Sequence, residues 1–370
     1  MQIPHFKLER FFAKYEFNVD YLLCCSDCES LTIQELLGLE PDASERFYKL
    51  RLGYTESPGS PSLRRTICSL YDSIAPDQVL VHCGAEEAIF LFMHAALKAG
   101  EHIIVHWPCY QSLVEVARSI GCQVTLWQAR AENDWALDID ELQQHIRPNT
   151  KVIVINTPHN PTGYLMPLEE FKELNRITQS NGIILFSDEV YRESEHSESD
   201  RLPAACDASE LAVSLGVMSK TYGLPGLRIG WIATRNTEIY AYMGALKDYT
   251  TICNSAPSEF LAELALRHRV KLVKRNVGII TQNIGILNEF FDRHQARFAW
   301  KPPKAGPIAF PKLIGEDVEV FCKDLVRTAR VLLLPGTMYN DRGNHFRVGF
   351  GRKNLPEAIK RLGEFIKTSP

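Results

Sequence analysis

The stretch SKTYGLPGLRIGW, residues 219–231, follows an apolar run, 211–217, and ends within a second one, 229–233. Strand-forming residues on both sides of glycine and proline predict a strand, a loop and a second strand. Lys220 then lies where the first strand ends, which is where α/β proteins carry their sites. Arg228 would add a fixed cation, and a nearby cation and desolvation both lower the pKa of a lysine and make its amine nucleophilic. The alternative is a surface lysine before a glycine turn.

Similar apolar runs recur along the chain after residue 76, with loops and helices between them. The predicted strands cover 78–83, 102–107, 123–127, 151–156, 182–187, 211–217 and 228–234. Several of them are apolar throughout, which is typical of strands that helices cover on both faces. We therefore predict an α/β fold class, with a doubly wound, mostly parallel sheet of seven strands. No G-x-G-x-x-G follows the first strand, which argues against a dinucleotide-binding domain.

The pattern changes on either side of this core. The N-terminal residues predict a helix at 8–15, a short helix at 32–37 and little core of their own. After residue 256 the sequence predicts one long helix, 257–291, loosened by Gly278 and Gly285, and then short strands and helices. The predicted units are an N-terminal arm at 1–46, a large domain at 47–255 and a small α+β domain at 256–370, which the arm joins.

Composition narrows the classes of partner. The 370 residues are 45% hydrophobic with a net charge of -4, so there is no basic excess of the kind that nucleic-acid binding needs. No apolar run reaches the ~18 residues of a membrane span, and charges interrupt the N-terminus where a signal peptide would be apolar. We predict a cytoplasmic protein with reduced thiols. Cys25-x-x-Cys28 has metal-ligand spacing, but no second pair accompanies it, so no metal site is predicted.

Two of the predicted strand ends offer contacts for a flat, phosphorylated ligand. The first strand runs through Gly84, Ala85 and Glu86 into a helix, whose free backbone N–H groups can bind a phosphate. Only the amides can do this, because the glutamate side chain would repel an anion. Tyr110 follows the second strand and could stack on a heteroaromatic ring. The alternatives are an ordinary capped helix and simple core packing.

Two further strand ends carry hydrogen-bonding and charged groups. The fourth strand ends in residues 156–163, which contain the HNPTG loop, and two X-Pro bonds in this stretch hold Asn160 as a fixed hydrogen-bond donor. Asp188 ends the fifth strand, where a partly buried carboxylate needs a partner such as a protonated ring nitrogen. Tyr191 follows three residues later and could donate a hydrogen bond to a ring oxygen.

These motifs together, in their order and spacing, resemble those of the class I/II aminotransferases, which are fold-type I pyridoxal phosphate enzymes. The resemblance covers nearly the whole chain. It implies that Lys220 forms the Schiff base with pyridoxal 5'-phosphate and later shuttles the substrate α-proton, and that Asp188 keeps the ring nitrogen protonated. It also implies that Asn160 and Tyr191 hydrogen-bond the ring hydroxyl and that Tyr110 stacks on the ring.

The resemblance implies roles for residues that bind the phosphate and the substrate. The contacts to the phosphate correspond to the backbone of Ala85 and Glu86, the Ser219 hydroxyl and Arg228. Tyr54 corresponds to a tyrosine that reaches the phosphate of the neighbouring subunit in a homodimer. Arg347, in the motif HFRVGFG, matches the arginine that binds the substrate α-carboxylate as a bidentate pair. Val217 departs from the pattern, since many relatives place a phosphate-binding serine there.

The resemblance predicts a homodimeric aminotransferase that moves an amino group between an L-amino acid and a 2-oxo acid in a ping-pong reaction. Because a fold does not determine the type of reaction, other reactions on the same scaffold remain alternatives. These are the reaction of a C–S lyase and that of a cyclase, dehydratase or oxidase of a basic amino acid. The N-terminal CCSDCESLTIQEL, 24–36, resembles the branch near capreomycidine synthase, whose members act on arginine. A non-catalytic protein that senses the cofactor is a further alternative.

The segment after the lysine strand bears on substrate choice. Relatives that use aspartate or glutamate often take a second arginine from this segment of the partner subunit, and residues 247–255 contain none. Acidic residues occur instead in the arm and after Tyr191. They are Asp27, Glu29, Glu193, Glu195 and Glu198. We predict that neutral or cationic amino acids are preferred over aspartate and glutamate, with solvated loops as the alternative role of these acids.

Overall fold

The computed structural model describes residues 2–368. Over these residues the α-helices are α1 (Lys7–Tyr15), α2 (Ile33–Leu37), α3 (Ala43–Tyr48), α4 (Pro61–Cys68), α5 (Gly84–Ala96), α6 (Ser112–Ile120), α7 (Ile139–His145), α8 (Leu168–Ser180), α9 (Ala205–Ala208), α10 (Thr237–Lys247), α11 (Ala256–Arg267), α12 (Arg269–Arg293), α13 (Val318–Ala329) and α14 (Leu355–Thr368). The strands are β1 (Tyr21–Leu22), β2 (Val79–His82), β3 (His102–Trp107), β4 (Gln123–Gln128), β5 (Thr150–Asn156), β6 (Ile184–Asp188), β7 (Ala212–Val217), β8 (Gly230–Thr234), β9 (Phe298–Ala299), β10 (Ile308–Ala309), β11 (Lys312–Leu313), β12 (Val331–Leu332), β13 (Leu334–Pro335) and β14 (Phe346–Gly349).

A seven-stranded sheet forms the centre of the molecule, in the order β2-β8-β7-β6-β5-β3-β4. β8 runs antiparallel to both of its neighbours, and the other neighbouring strands are parallel. Every residue of β2, β7 and β8 is buried, as expected when helices cover both faces of a sheet. The predicted fold class is confirmed, and each of the seven predicted strands is present with its ends within two residues of the prediction.

The carboxyl ends of β5, β6 and β7 bring the candidate residues together. Asn156 and Asp188, the last residues of β5 and β6, are paired across the sheet, and Lys220 follows the end of β7 by three residues. Gly230 lets the start of α5 approach β8, because a Cβ atom there would lie 2.7 Å from the carbonyl carbon of Gly84. The beginning of α5 therefore lies beside the loop that carries Lys220.

The N-terminal arm contributes more core than the sequence predicts. Leu23, Cys24 and Cys28 are buried, and β1 pairs in parallel with β12. The arm then packs backbone against backbone on the end of β14, where a Cβ atom at Gly349 would lie 1.9 Å from the carbonyl oxygen of Cys25. The prediction of an arm with little core is wrong because its apolar side chains are buried by segments about 300 residues away in the chain.

The predicted helix 257–291 is two helices. α11 ends before His268, and α12 begins after it. At the break, Glu40 accepts hydrogen bonds from Arg267 and His268, at 3.0 Å each, which ties the turn to the arm. Gly278 and Gly285 lie inside continuous α12, with no neighbouring atom near the position of a Cβ. The prediction was wrong about the break, because a glycine inside a helix costs only about 1 kcal/mol.

The C-terminal part has its own apolar core under α12, α13 and α14, built around Phe291, Phe298 and Phe346. It contains the three-stranded antiparallel sheet β10-β14-β13. The division of the chain at residues 46 and 255 stays a prediction. Within residues 2–368, no helix combines the length and the apolar character needed to cross a membrane.

Candidate active site

A cavity of about 450 Å³ opens at the carboxyl ends of β5, β6 and β7, and residues from α1, the arm and β14 complete its wall. Ten of the eleven residues singled out from the sequence line this cavity: Ala85, Glu86, Tyr110, Asn160, Asp188, Tyr191, Ser219, Lys220, Arg228 and Arg347. Tyr54 does not line it and is 94% exposed.

Lys220 projects its amine into the cavity. Its Nζ donates a hydrogen bond to Ser26 Oγ in the arm at 2.9 Å. Burial lowers the pKa of Lys220, and the charge of Arg347 lowers it further, while Asp27 opposes the shift. A larger share of the amine is therefore neutral at physiological pH, which is the state that attacks a carbonyl carbon.

Asp188 is a buried carboxylate without an ion-pair partner. The backbone N–H of Val190 donates to its Oδ1 at 3.2 Å, and the residues between 2 and 368 place no cationic nitrogen within 4.0 Å of it. Burial raises its pKa to about 7. A carboxylate in this position favours a ligand that brings a protonated nitrogen.

We expect the pKa of Asp188 to be visible in the stability of the cofactor-free protein. An unfolded aspartate loses its proton near pH 4, whereas the folded group keeps it until about pH 7, so this group's contribution to stability declines as the pH rises between these values. In thermal unfolding, the melting temperature of Asp188→Asn relative to that of the wild type should rise by about 3 °C between pH 5 and pH 8. A constant difference over this range would mean that the carboxylate is ionised throughout.

Arg347, on β14, lines the cavity and is almost fully buried. Its Nε donates to the carbonyl of Cys24 at 2.9 Å, and its Nη1 donates to Asn160 Oδ1 at 3.1 Å and to the Tyr339 hydroxyl. Asn160 is itself held by a hydrogen bond from its backbone N–H to Asn156 Oδ1 at 2.7 Å. These contacts fix the plane of a guanidinium group that can bind a carboxylate.

Two tyrosines complete the wall near Asp188. The Tyr191 side chain is buried and lines the cavity, where Ser26 is its hydrogen-bonding neighbour. The Tyr110 hydroxyl donates to Glu9 Oε1 at 2.8 Å, and its ring packs on Phe6 with centroids 4.8 Å apart. A tyrosine hydroxyl can donate one hydrogen bond and accept another, so Tyr191 can bond a ligand as well as its neighbour.

The start of α5 forms a cradle for an anion. Gly84 has a φ of 80°, and a Cβ atom there would lie 2.7 Å from Arg228 Nη2, so only glycine lets the guanidinium group lie against the helix N-terminus. Free N–H groups of the first turn and this cation both attract negative charge. The Glu86 carboxylate accepts a hydrogen bond from Ser112 Oγ at 3.1 Å, and burial raises its pKa to about 7.

The five acidic residues of the arm and of the segment after Tyr191 divide into two groups. Of these five, only Asp27 lines the cavity, and Arg352 donates to both of its carboxylate oxygens, at 3.1 and 2.9 Å. The other four are outside the cavity, where Glu29 accepts from the backbone of Lys353, Glu193 from Tyr222 and Glu195 from Arg201, and Glu198 begins a short turn. Asp27 is therefore the one acid of these five that can contact a substrate in this cavity.

Sequence reasoning missed several residues of the cavity. Glu9 and Phe12 of α1 and its C-terminal cap, Glu16, line it, although the sequence indicates only that this helix belongs to an arm. Their spacing of three and four residues places them on one face of a helix, and that spacing was the available signal. Asn156 and Tyr339 support the site through Asn160, and nothing in the local sequence around Tyr339 indicates this.

The groups in the cavity fit one kind of cofactor. A buried amine suits an aldehyde, the unpaired carboxylate of Asp188 suits a protonated ring nitrogen, and the Tyr191 hydroxyl suits a ring oxygen. The cradle at Gly84 and Arg228 suits a phosphate. No cluster of three histidine, cysteine, aspartate or glutamate residues able to hold a metal ion occurs in the described part of the chain.

Comparisons with known proteins agree with this chemistry. Residues 23–362 match the family described as aminotransferase class I and II. The curated capreomycidine synthase of Streptomyces vinaceus is 26% identical over 373 residues, covering 99% of this chain and 95% of the relative, and aspartate aminotransferases are also among the curated relatives.

Two solved structures are similar over almost the whole chain. A PLP-dependent aminotransferase from Streptococcus suis has a TM-score of 0.94 and 33% identity, with 99% of this chain and 98% of that chain covered. The PLP-dependent cyclase OrfR has a TM-score of 0.91 and 28% identity, with the same coverage. The chain therefore belongs to the class I and II aminotransferase family, whose fold-type I enzymes use pyridoxal phosphate as cofactor.

Proposed function

We propose that this enzyme transfers an amino group between an L-amino acid and a 2-oxo acid. The observation that carries the proposal is the position of the Lys220 amine in one cavity with the carboxylate of Asp188 and the guanidinium group of Arg347. These three groups supply a nucleophile for the cofactor, a partner for its ring nitrogen and an anchor for the substrate carboxylate.

Each cofactor contact has a candidate residue. Lys220 would hold pyridoxal phosphate covalently, and Asp188 would pair with its ring nitrogen. Tyr191 and Asn160 would bond the ring oxygen, with Tyr110 beside the ring. The residues proposed for the phosphate are Ala85 and Glu86 through their backbone, Ser219 and Arg228. The cofactor supplies an aldehyde for the amino group and a ring that withdraws electrons from the substrate α-carbon.

Substrate binding and proton movement fall to Arg347 and Lys220. Arg347 is already oriented by Cys24 and Asn160, and it would bind the α-carboxylate as a bidentate pair. Lys220 Nζ, released from the cofactor, would accept the α-proton and later return a proton, since a neutral amine in a buried site is an effective general base. Ser26, which bonds this Nζ at 2.9 Å, would orient it.

A different reaction on the same scaffold is the second candidate. Capreomycidine synthase and the cyclase OrfR are both similar to this chain over 99% of its length, and neither name denotes amino transfer. The groups described above bind the amino acid and remove its α-proton, and these steps are common to transfer, elimination and cyclisation.

One measurement separates the two candidates. When the enzyme is mixed with an amino acid and no 2-oxo acid, amino transfer should release one equivalent of 2-oxo product per active site and then stop, because the amino group stays with the enzyme. Adding a 2-oxo acid should restart it. Continued release of product or ammonia without an acceptor would instead establish elimination or cyclisation.

We propose that the enzyme is a homodimer in which Tyr54 serves the neighbouring subunit. Leu52, Tyr54 and Tyr249 are each more than 80% exposed. Their segments are joined, because Thr55 Oγ1 donates to the carbonyl of Asn254 at 2.9 Å. Exposed large apolar residues on joined segments are typical of a surface that a partner covers.

Removing only the Tyr54 hydroxyl should weaken cofactor binding. A hydrogen bond to a charged group contributes about 1.5 kcal/mol or more, so Tyr54→Phe should raise the Kd for pyridoxal phosphate about tenfold or more. The measurement is retention of the cofactor on dialysis, together with sedimentation at the assay concentration. Tyr48→Phe, another exposed tyrosine, is the control. A fully active monomer, or an unchanged Kd in Tyr54→Phe, would contradict the proposal.

A further inference from the structure

Helix α1 presents two carboxylates to the cavity. Glu9, Phe12 and Glu16 line the cavity from α1 and its C-terminal cap, and their spacing of three and four residues places them on one face. At a rise of about 1.5 Å per residue, Glu9 and Glu16 are separated by about 10 Å along the helix axis. Phe12 lies between them.

The substrate anchor lies against this face of α1. The Arg347 guanidinium carbon is 5.9 Å from the centre of the Phe12 ring. Glu16 is four residues, or about 6 Å along the axis, beyond Phe12, and Glu9 is about 4.5 Å before it. When Arg347 binds the α-carboxylate of an amino acid, the substrate side chain can therefore reach Glu9 in one direction along α1 or Glu16 in the other.

These two carboxylates form no ion pair and lie away from the groups assigned to the cofactor. Asp27 is paired with Arg352, while Asp188 and Glu86 lie at the end of β6 and the start of α5, where we place the cofactor. The Glu16 carboxylate has no hydrogen bond or ion pair within residues 2–368, and Glu9 accepts only from the neutral Tyr110 hydroxyl. Burial and the nearby Asp27 raise the pKa of Glu16, and the more distant charges of Arg352 and Lys220 oppose this shift.

The Asp188 carboxylate gives an independent sign that this cavity receives a ligand. It is 6% exposed, lines the same cavity and forms no ion pair within residues 2–368. A half-buried glutamate that also lacks a partner gains most from a ligand that brings a positive charge, because its desolvation is then offset by an ion pair.

From this placement we infer that the substrate is an amino acid with a cationic side chain. Its terminal charge forms an ion pair with Glu16 and is also attracted to the carboxylate of Glu9. The inference rests on the proposed function only for Arg347 as the anchor of the α-carboxylate. A substrate with an acidic side chain would place its second carboxylate near Glu9 and Glu16, and residues 247–255 offer no arginine to counter this repulsion.

Binding of two inert ligands to the cofactor-loaded enzyme tests the inference. δ-Guanidinovalerate and δ-ureidovalerate lack an α-amino group, have nearly the same shape and differ in the charge at the end of the chain. Calorimetry on the wild type should show the guanidino compound binding at least about tenfold more tightly. Equal affinities in the wild type would overturn the inference without any variant.

A charge-neutral variant assigns the preference to α1. Glu16→Gln should reduce the preference to about threefold or less, because it removes the charge and keeps the shape. Glu364→Gln, at an exposed position of α14, should keep the full preference. Retention of the full preference in both Glu16→Gln and Glu9→Gln would refute the role of α1.

The binding preference and the reaction can fail separately. The inert ligands undergo no reaction, so the preference would survive if the enzyme proved to be a cyclase and the transfer of amino groups failed. Conversely, the enzyme could release one equivalent of 2-oxo acid from a neutral amino acid and show no preference for the guanidino ligand. This result would support amino transfer and refute the inference of a cationic substrate. Single-turnover rates for arginine and for its neutral isostere citrulline should differ in the same direction as the affinities.

Discussion

The Lys220→Ala variant is expected to lose its covalent link to pyridoxal phosphate and at least about ten-thousandfold in turnover. The lysine acts in two ways in the proposed function, since it holds the cofactor and moves the α-proton, and a general base alone contributes about 10²–10⁴-fold. Borohydride reduction followed by peptide mass analysis measures the link. The peptide that contains residue 220 should carry the cofactor in the wild type and not in the variant.

A second buried lysine provides the matched control. Lys247 is fully buried, and burial lowers its pKa too, but its Nζ donates to the carbonyl of Ser57 and it does not line the cavity. Lys247→Ala should therefore keep the cofactor on the Lys220 peptide, whatever it does to stability. Cofactor found on another lysine of Lys220→Ala would move the reactive centre away from the end of β7.

The sheet was predictable because its signal is local. Each of β2 to β8 is a short, mostly apolar run, and a strand buried on both faces needs little more than such a run with turn residues at its ends. Asp188 and Lys220 follow from the same signal, since they come directly after two of these runs. Parallel strands bring their carboxyl ends to one edge, so residues distant in sequence meet there.

The contacts that involve the C-terminal part of the chain and the N-terminal arm were not predictable from such local runs. Tyr339 bonds Asn160 across 179 residues, and Arg347 bonds the carbonyl of Cys24 across 323. No periodicity encodes which distant segments meet, and the resemblance assigned a role to Arg347 without identifying what orients it. The sequence left the role of the acids after Tyr191 open for the same reason, because partners such as Arg269, which pairs with Glu193, lie in other elements.

The position of α1 shows what a local pattern can and cannot decide. The nine residues of α1 were recognised as helical to within one residue at its start. The spacing of Glu9, Phe12 and Glu16 also defines a face, but an amphipathic face does not say whether it meets a core, a partner or a cavity. Only the packing of α1 beside Arg347 and Tyr110 shows that this face meets the cavity.

Asp188→Asn is expected to lower turnover about a hundredfold or more while the cofactor stays bound. Lys220 and the phosphate cradle remain in the variant, so retention of pyridoxal phosphate on dialysis should persist. The loss arises because an amide cannot stabilise a protonated ring nitrogen, and removing one partner of a buried charge pair costs about 3–5 kcal/mol. The rate per cofactor-loaded site, measured in a single turnover, reports this loss directly.

The neighbouring Glu189 separates this electrostatic role from simple disruption of β6. Glu189 is also a buried acid, but its Oε1 accepts hydrogen bonds from the backbone of Ala205 and from Ser214 Oγ, each at 2.8 Å, and it does not line the cavity. Glu189→Gln should lower the melting temperature and leave the rate per loaded site within about threefold of the wild type, since its partners lie outside the site. With the cofactor bound, the stability difference between Asp188→Asn and wild type should no longer change between pH 5 and pH 8, because the ion pair keeps Asp188 ionised over this range. Equal single-turnover rates in Asp188→Asn and wild type would show that the carboxylate at the end of β6 does not support the chemistry.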